Sequence, residues 1–467
     1  MIGTKVGVVV CALFLAACTA DKPAPETTTA NFAPGAQGIG DDYFPTYGNG
    51  GYDVAGYDLN LRYDPKSGEL SGTATITATA TQDLSRFDFD FANLSASGAT
   101  VDGSVAAPNQ EGTELVITPP AGIVKGKAFT VVVTYAGRPA TLDNKALGEG
   151  GWLRTNNGGF ALGQPESAST WFPVNDHPSD KATFRLAMAV PDGLEVLSNG
   201  VPGPRDSANG WTTWTWSEAS PMASYLTTVV IGQYRITNAT HNGKPMITAI
   251  PDSLPVDGPA ARTMARTGEI ADFLASQFGP YPFDAYGGVV LDDSRINYAL
   301  ETQSRPVYGS TFFRSGPNAT VVAHELAHQW YGDSVALDRW QDIWLNEGFA
   351  TYAEWLWEEH EGQSTVRQSF DQVYSGFDWS VPPGNPGANR LFDDAVYKRG
   401  AMTVQALRET IGDPAFFALL KSWPAEHRDG NATTDDFIAA AERAAGGKDL
   451  GPLFQAWLFG TTRPPAP

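Results

Sequence analysis

HELAHQW, residues 324–330, sets two histidines four apart with a glutamate beside the first. On a helix, residues four apart share a face. His324 and His328 therefore stand together, while Val322, Leu326 and Trp330 line a second, apolar face at the same spacing. Two imidazoles one turn apart can reach one metal ion, and Glu325 on the flank can reach a water beside it. The chain holds six histidines in 467 residues, so an H-E-x-x-H match is expected about 0.004 times by chance. The stretch is read as a metal-binding helix.

A catalytic zinc keeps three protein ligands and one open position. The remaining histidines, His177, His241, His360 and His427, lie in no matching pattern. DIWLNEGFATYAEWL, residues 342–356, supplies Glu347 instead, 19 residues after His328 and on the next expected helix. His324, His328 and Glu347 would hold one Zn2+ per chain, a Lewis acid that lowers the pKa of a bound water towards about 7. Glu325 would take that water's proton and hand it to a leaving amine. Thr351 and Asp342 are the candidates for orienting the ligand histidines.

Outward from this centre the chain divides. From 246 to 460 the pattern is mainly helical: helices are expected over 318–331 and about 343–360, in YKRGAMTVQALRETIG up to Gly412, and after Asp413 as N-cap and Pro414 as N1. PYPFDAYGGVVLDD reads as turn and strand within a small sheet. From 41 to 245 apolar and polar residues alternate, as at Tyr57, Leu59, Leu61 and Tyr63, which predicts many short strands. The class is α+β, with an N-terminal all-β domain before a mainly α catalytic domain. Residues 461–467 read as a frayed tail. Residues 18–40, rich in Pro, Thr, Ala and Gly, read as a flexible tether.

Residues 1–17 read as a signal peptide, with a basic start and a 12-residue apolar run too short to cross a bilayer. The run ends in LAAC, residues 15–18, which resembles the bacterial lipoprotein signal. That resemblance implies a lipid anchor at Cys18 and an extracytoplasmic place on the bacterial cell membrane, or secretion. The only other cysteine, Cys11, lies in the cleaved segment, so the mature chain carries no disulfide. A net charge of −21 repels phosphate backbones and argues against nucleic-acid partners. The sequence assigns no oligomeric state.

H-E-x-x-H, 18 residues and then Glu, in the setting WLNEGFA, resembles the zinc aminopeptidases of the aminopeptidase N family. Four more stretches agree: YALET (298–302) with the family's G-A-M-E-N, WFPVNDHPSDKATF (171–184) with W-F-P-C-x-D-E-P-x-x-K-A-T-F, GQPE (163–166) with T-Q-x-E, and AVYKRGA (395–401) with V-Y-x-K-G-A. The resemblance implies a saddle- or sandwich-like β domain and a thermolysin-like catalytic domain. It makes Glu301 the carboxylate that binds the substrate's free α-amine, with Glu166 as its partner and Gln164 as a positioning residue. An ammonium is selected by opposing carboxylates in a partly dry cleft. Tyr397 would donate to the developing oxyanion. Ala299 and Leu300 would run beside the substrate as an added strand. Asp176, Pro178 and Lys181 are expected to hold the two domains together.

Some positions depart from the family. Tyr298 and Thr302 replace Gly and Asn, so the pocket for the first side chain is expected to be reshaped. The chain ends near where family members commonly add a helical domain, so a short form with a more open cleft is expected. The activity implied is removal of N-terminal residues from peptides with a free N-terminus. Two alternatives remain at this point: a zinc endopeptidase, which would not need Glu301 or Glu166, and a peptide-binding lipoprotein without turnover.

Overall fold

The alternation at 52–80 forms one long hairpin in the computed structural model, which describes residues 1–9, 31–144 and 147–467. Tyr52–Asp64 pairs antiparallel with Glu69–Ala80. Tyr57, Leu59, Leu61 and Tyr63 turn inward, opposite the buried Ala74 and Ile76. Burying each large apolar side chain stabilises by about 1.5–3 kcal/mol. This hairpin is the centre of a twelve-stranded sheet, with Ala128–Gly137 on one flank and Lys181–Pro191 and Trp211–Ala223 on the other. A five-stranded sheet includes Gly148–Arg154 and Gly159–Leu162, which leads directly into Gln164.

A second five-stranded sheet runs in the order Tyr234–His241, Lys244–Pro251, Tyr286–Leu291, Val307–Gly309, Ala299–Leu300. A division at 245/246 therefore falls inside a strand. The sheet that carries Ala299 begins at Tyr234, because apolar alternation alone does not say which sheet a strand joins. Ala299–Leu300 lies at the edge of this sheet, bonded on one side only to Val307 and Tyr308.

The helical half follows. Two helices come first, Pro259–Met264 and Thr267–Phe278, the second stopped at Gly279 with φ 96°. A positive φ there costs glycine nothing. Ala319–Ala327, the histidine helix, starts at Asn318, whose Oδ1 accepts from the Val321 N–H at 3.2 Å. It is shorter than expected, and His328 is its C-cap. Trp344–His360, the glutamate helix, packs against Gly400–Ile411. Asp413 is already helical, with Gly412 as the N-cap.

Both expected loose ends are partly held. Ala33–Pro34 pairs parallel with the strand Leu84–Asp90, and the Gly35 N–H donates to Arg86 O at 2.9 Å. The tether thus stops short of residue 40, since backbone groups even in a Pro- and Gly-rich run can pair with a sheet edge. At the other end, Tyr374 donates to Pro464 O and its ring lies under Arg463, so 461–467 is docked rather than frayed. Cys11, Cys18 and residues 10–17 of the expected signal peptide lie outside the described residues. Among the described residues no helix is long and apolar enough to cross a membrane.

Candidate zinc site and substrate cleft

The histidine and glutamate helices meet where their sequences put the chemistry. His324 and His328 aim their Nε2 atoms at one oxygen, Glu347 Oε2, at 3.3 and 3.4 Å. These separations are long for hydrogen bonds. They match the edge of a tetrahedron whose corners stand about 2.0–2.1 Å from its centre, which is about 3.3 Å. The donor set, its burial and its spacing fit a zinc ion. Each Nδ1 is engaged elsewhere: His324 Nδ1 with Glu354 Oε1 at 2.6 Å and His328 Nδ1 with Tyr331 O at 3.0 Å. Those bonds fix both rings with Nε2 toward the shared point.

Thr351 and Asp342 do not orient the histidines. Asp342 accepts from Thr434 Oγ1 at 2.6 Å, and Thr351 Oγ1 is buried with no partner among the described residues. Glu354 takes the role instead. It lies seven residues after Glu347, two turns along one helix face, a spacing that the sequence shows. Tyr331 acts through its backbone carbonyl, for which side-chain identity carries no signal.

The second carboxylate cluster is Glu301, Glu325 and His328, whose ligand atoms lie within 4.8 Å of one another. Gln164 Nε2 donates to Glu301 Oε1 at 3.2 Å, and Gln329 Nε2 holds Glu301 O at 3.0 Å. Glu166 does not line this cleft. It is half-buried beside the Tyr47 phenol, whose pKa burial raises first and the Glu166 charge raises further. Only Pro165 stands between Gln164, which faces Glu301, and Glu166, which lies beside Tyr47.

Tyr397 sits on a π-type turn, Ala395–Arg399, with its ring stacked 6.0 Å from that of His324. Two contacts set this turn. Gly400 and Gly348 meet backbone to backbone, so that a Cβ on Gly400 would stand 2.8 Å from Gly348 Cα. Arg399, fully buried, donates five bonds to carbonyls: Trp457 at 2.7 Å, Trp379 and Val381 at 3.0 Å, Ala456 at 3.1 Å and Gly460 at 2.7 Å. A lysine has three donors and could not hold all five, so the Lys-to-Arg departure is used structurally.

Of the expected domain contacts, Lys181 Nζ donates to Asp333 O and Ser334 O, both at 2.8 Å, and Asn431 Nδ2 to Pro178 O at 2.9 Å. Asp176 instead serves the β half, accepting from Ser224 Oγ at 2.7 Å and Ser169 N–H at 3.1 Å. Tyr298 donates to Glu149 O at 2.8 Å, and Thr302 Oγ1 to Arg305 O at 2.6 Å. Tyr298, but not Thr302, lines a cleft of about 390 Å3, together with Gln164, Ala299, Glu301, Glu325 and Tyr397.

Charge in the cleft is tightly interlocked. Burial pushes the Glu325 carboxyl up to about 8 against the pull of both imidazoles. Burial would raise Glu347 too, but His328 and His324 outweigh it and bring it down to about 2. His328 is disfavoured as a cation by burial, yet Glu347 and Glu301 raise it to about 9. Burial also raises Glu301. A divalent cation among the three ligands brings positive charge beside Glu325 and favours its ionised form.

A β-rich half, a helical half and a buried His-His-Glu set with an adjacent glutamate define a zinc-dependent peptidase. The family models agree: the Peptidase M1 N-terminal domain matches residues 54–226 and the Peptidase family M1 domain matches residues 263–457. The chain belongs to peptidase family M1, whose members here include zinc enzymes. An M1 zinc metallopeptidase from Deinococcus radiodurans, a variant bound to a Tyr-Ser-Ala substrate, is 30% identical. The likeness covers 92% of this chain and 99% of that one, with a TM-score of 0.85. Aminopeptidase M1 of Arabidopsis thaliana is 28% identical over 86% of this chain and 49% of its own length. Aminopeptidase N of Streptomyces lividans is 27% identical over 62% of this chain and 36% of its own. The chain thus spans about half or less of the curated relatives that it matches.

Proposed function

We propose that the chain is a zinc aminopeptidase that removes the first residue from peptides with a free N-terminus. The observation that carries this is Glu301: a buried carboxylate, steadied by Gln164, beside Glu325 and His328 in one cleft. A chain end offers an ammonium to such a group, and an internal peptide bond does not. The names of the relatives, and the substrate-bound Deinococcus structure, support the same reading.

The residue roles follow from position. His324, His328 and Glu347 hold zinc, which when bound supplies Lewis acidity. Glu325 accepts the proton of the attacking water and delivers it to the leaving amine. Tyr397 donates its O–H to the oxygen that gains charge. The edge strand Ala299–Leu300 pairs with the substrate backbone. Glu354 and Tyr331 O keep both imidazoles in register. The division we propose is a β domain ahead of the catalytic domain. The place we propose is extracytoplasmic, with a lipid on Cys18; the apolar run and LAAC support it. Membrane fractionation of wild type and Cys18→Ser tests this, and equal recovery in the membrane fraction would refute it.

The activity is tested on alanine p-nitroanilide and its N-acetyl form, with zinc measured in wild type and Glu301→Ala. Release from the free amine alone is expected, lost in the variant while zinc stays. Cleavage indifferent to the acetyl cap would refute the reading in favour of an endopeptidase. Bound zinc without turnover on any peptide would leave a binding protein.

A further inference from the structure

The proposed chemistry uses one end of the cleft fully and leaves the other unexplained. Contacts order the groups along it: Gln164 on Glu301, Glu301 near Glu325 and His328, the two imidazoles on Glu347, then His324 on Glu354. The histidine helix runs in the opposite sense, with Thr320 and Val321 at its start and Glu325 and His328 near Glu301, all lining the cleft. A peptide with its amine on Glu301 and its first carbonyl at the imidazoles must continue past His324 toward Glu354. There it meets a carboxylate whose side chain keeps 29% of its exposure and whose Oε1 alone is taken by His324.

Resting on the aminopeptidase reading, we infer that Glu354 sets the preference at the residue after the cleaved bond. Peptides with a basic or neutral residue there are taken. Those that place a carboxylate there are rejected, whether it is a side chain or the free C-terminus of a dipeptide.

Two further observations support this. No Lys or Arg lines the cleft among the described residues. Lys398, next to Tyr397, is paired with Asp394 at 2.7 Å, outside that lining. Among the described residues that line the cleft, a substrate carboxylate therefore finds no cationic side chain. Second, four carboxyl groups, Glu301, Glu325, Glu347 and Glu354, line the cleft. Like charges facing each other across a cleft repel wrong partners, and partial burial leaves that repulsion less screened than at the surface. The histidine helix points its N-terminus to the same end, which favours anions, but its effect is that of about half a charge. Asn318 already caps the Val321 N–H.

The test uses Ala-Ala, Ala-Ala-amide, Ala-Lys-amide and Ala-Glu-amide. The expected kcat/KM is at least about tenfold higher for the lysine than for the glutamate peptide, and higher for Ala-Ala-amide than for Ala-Ala. Glu354→Gln, which keeps an oxygen for His324 Nδ1, should collapse both ratios toward one whatever it does to absolute rate. A merely structural role would move the rate and leave the ratios. Binding is read separately by calorimetry of the two charged amides on Glu325→Gln, with the lysine peptide tighter. Equal ratios in wild type, or ratios unchanged in Glu354→Gln, overturn the inference while leaving the aminopeptidase intact. No release from any of the four overturns both.

Discussion

Replacing Tyr397 by Phe removes one O–H and nothing else from the cleft. The ring is held by the π-type turn, by the Gly348–Gly400 contact and by stacking on His324, none of which needs the hydroxyl. Burial, then the charges of Glu347, Glu301 and Glu325, keep the phenol pKa well above its ordinary value. The group is therefore a hydrogen-bond donor across the working pH range and not a base. A donor aimed at charge that develops in the transition state contributes about 2.7–4 kcal/mol, or about 10²–10³ in kcat. The substrate amine, anchored on Glu301, does not sense the change, so KM should stay within about threefold. Steady-state kinetics on alanine p-nitroanilide, with zinc measured in both proteins, decide the matter. A kcat loss below about fivefold, or a loss carried by KM, would refute the role given to Tyr397.

Four other outcomes are expected. Glu325→Gln should lose about 10² or more in kcat and keep its zinc, which zinc analysis beside turnover will show. Chelation should abolish turnover and lower the melting temperature, both restored by added Zn2+, because an ion bound only by the native state stabilises it. Arg399→Met leaves five carbonyls without their donor, three in buried and two in part-buried bonds, and should cost about 3–5 kcal/mol in denaturant unfolding, with Arg399→Lys intermediate. Asp180 is raised by burial, and by Asp53 after it, to about 8. Its folded form thus keeps a proton that the unfolded chain gives up near 3.8, so stability from this group is full below that value and falls as pH rises toward 8. Thermal melts from pH 5 to 9 should show the fall, and Asp180→Asn should flatten it.

The sequence was most legible where chemistry demands fixed spacing. His324, His328 and Glu347 converge because helix periodicity places two of them and the next helix brings the third. Long alternating runs such as 52–80 became strands because one buried face specifies register. What stayed illegible depends on contacts between distant segments. The strand Tyr234–His241 joins the catalytic sheet, because its partner Lys244–Pro251 pairs onward with Tyr286–Leu291. Glu166 shares a motif with Gln164 yet lies beside Tyr47, a contact with a distant segment that motif spacing does not encode. Tyr331 works through a carbonyl, which every residue has.

The clasp of Arg399 on carbonyls 456, 457 and 460 also ties the turn that carries Tyr397 to a segment far along the chain. Three of the five acceptors lie beyond residue 455, whereas Glu301, His324, Glu325, His328 and Glu347 all precede Arg399. A truncation before residue 455 would leave every metal ligand in the sequence, yet take three of five partners from the arginine beside Tyr397.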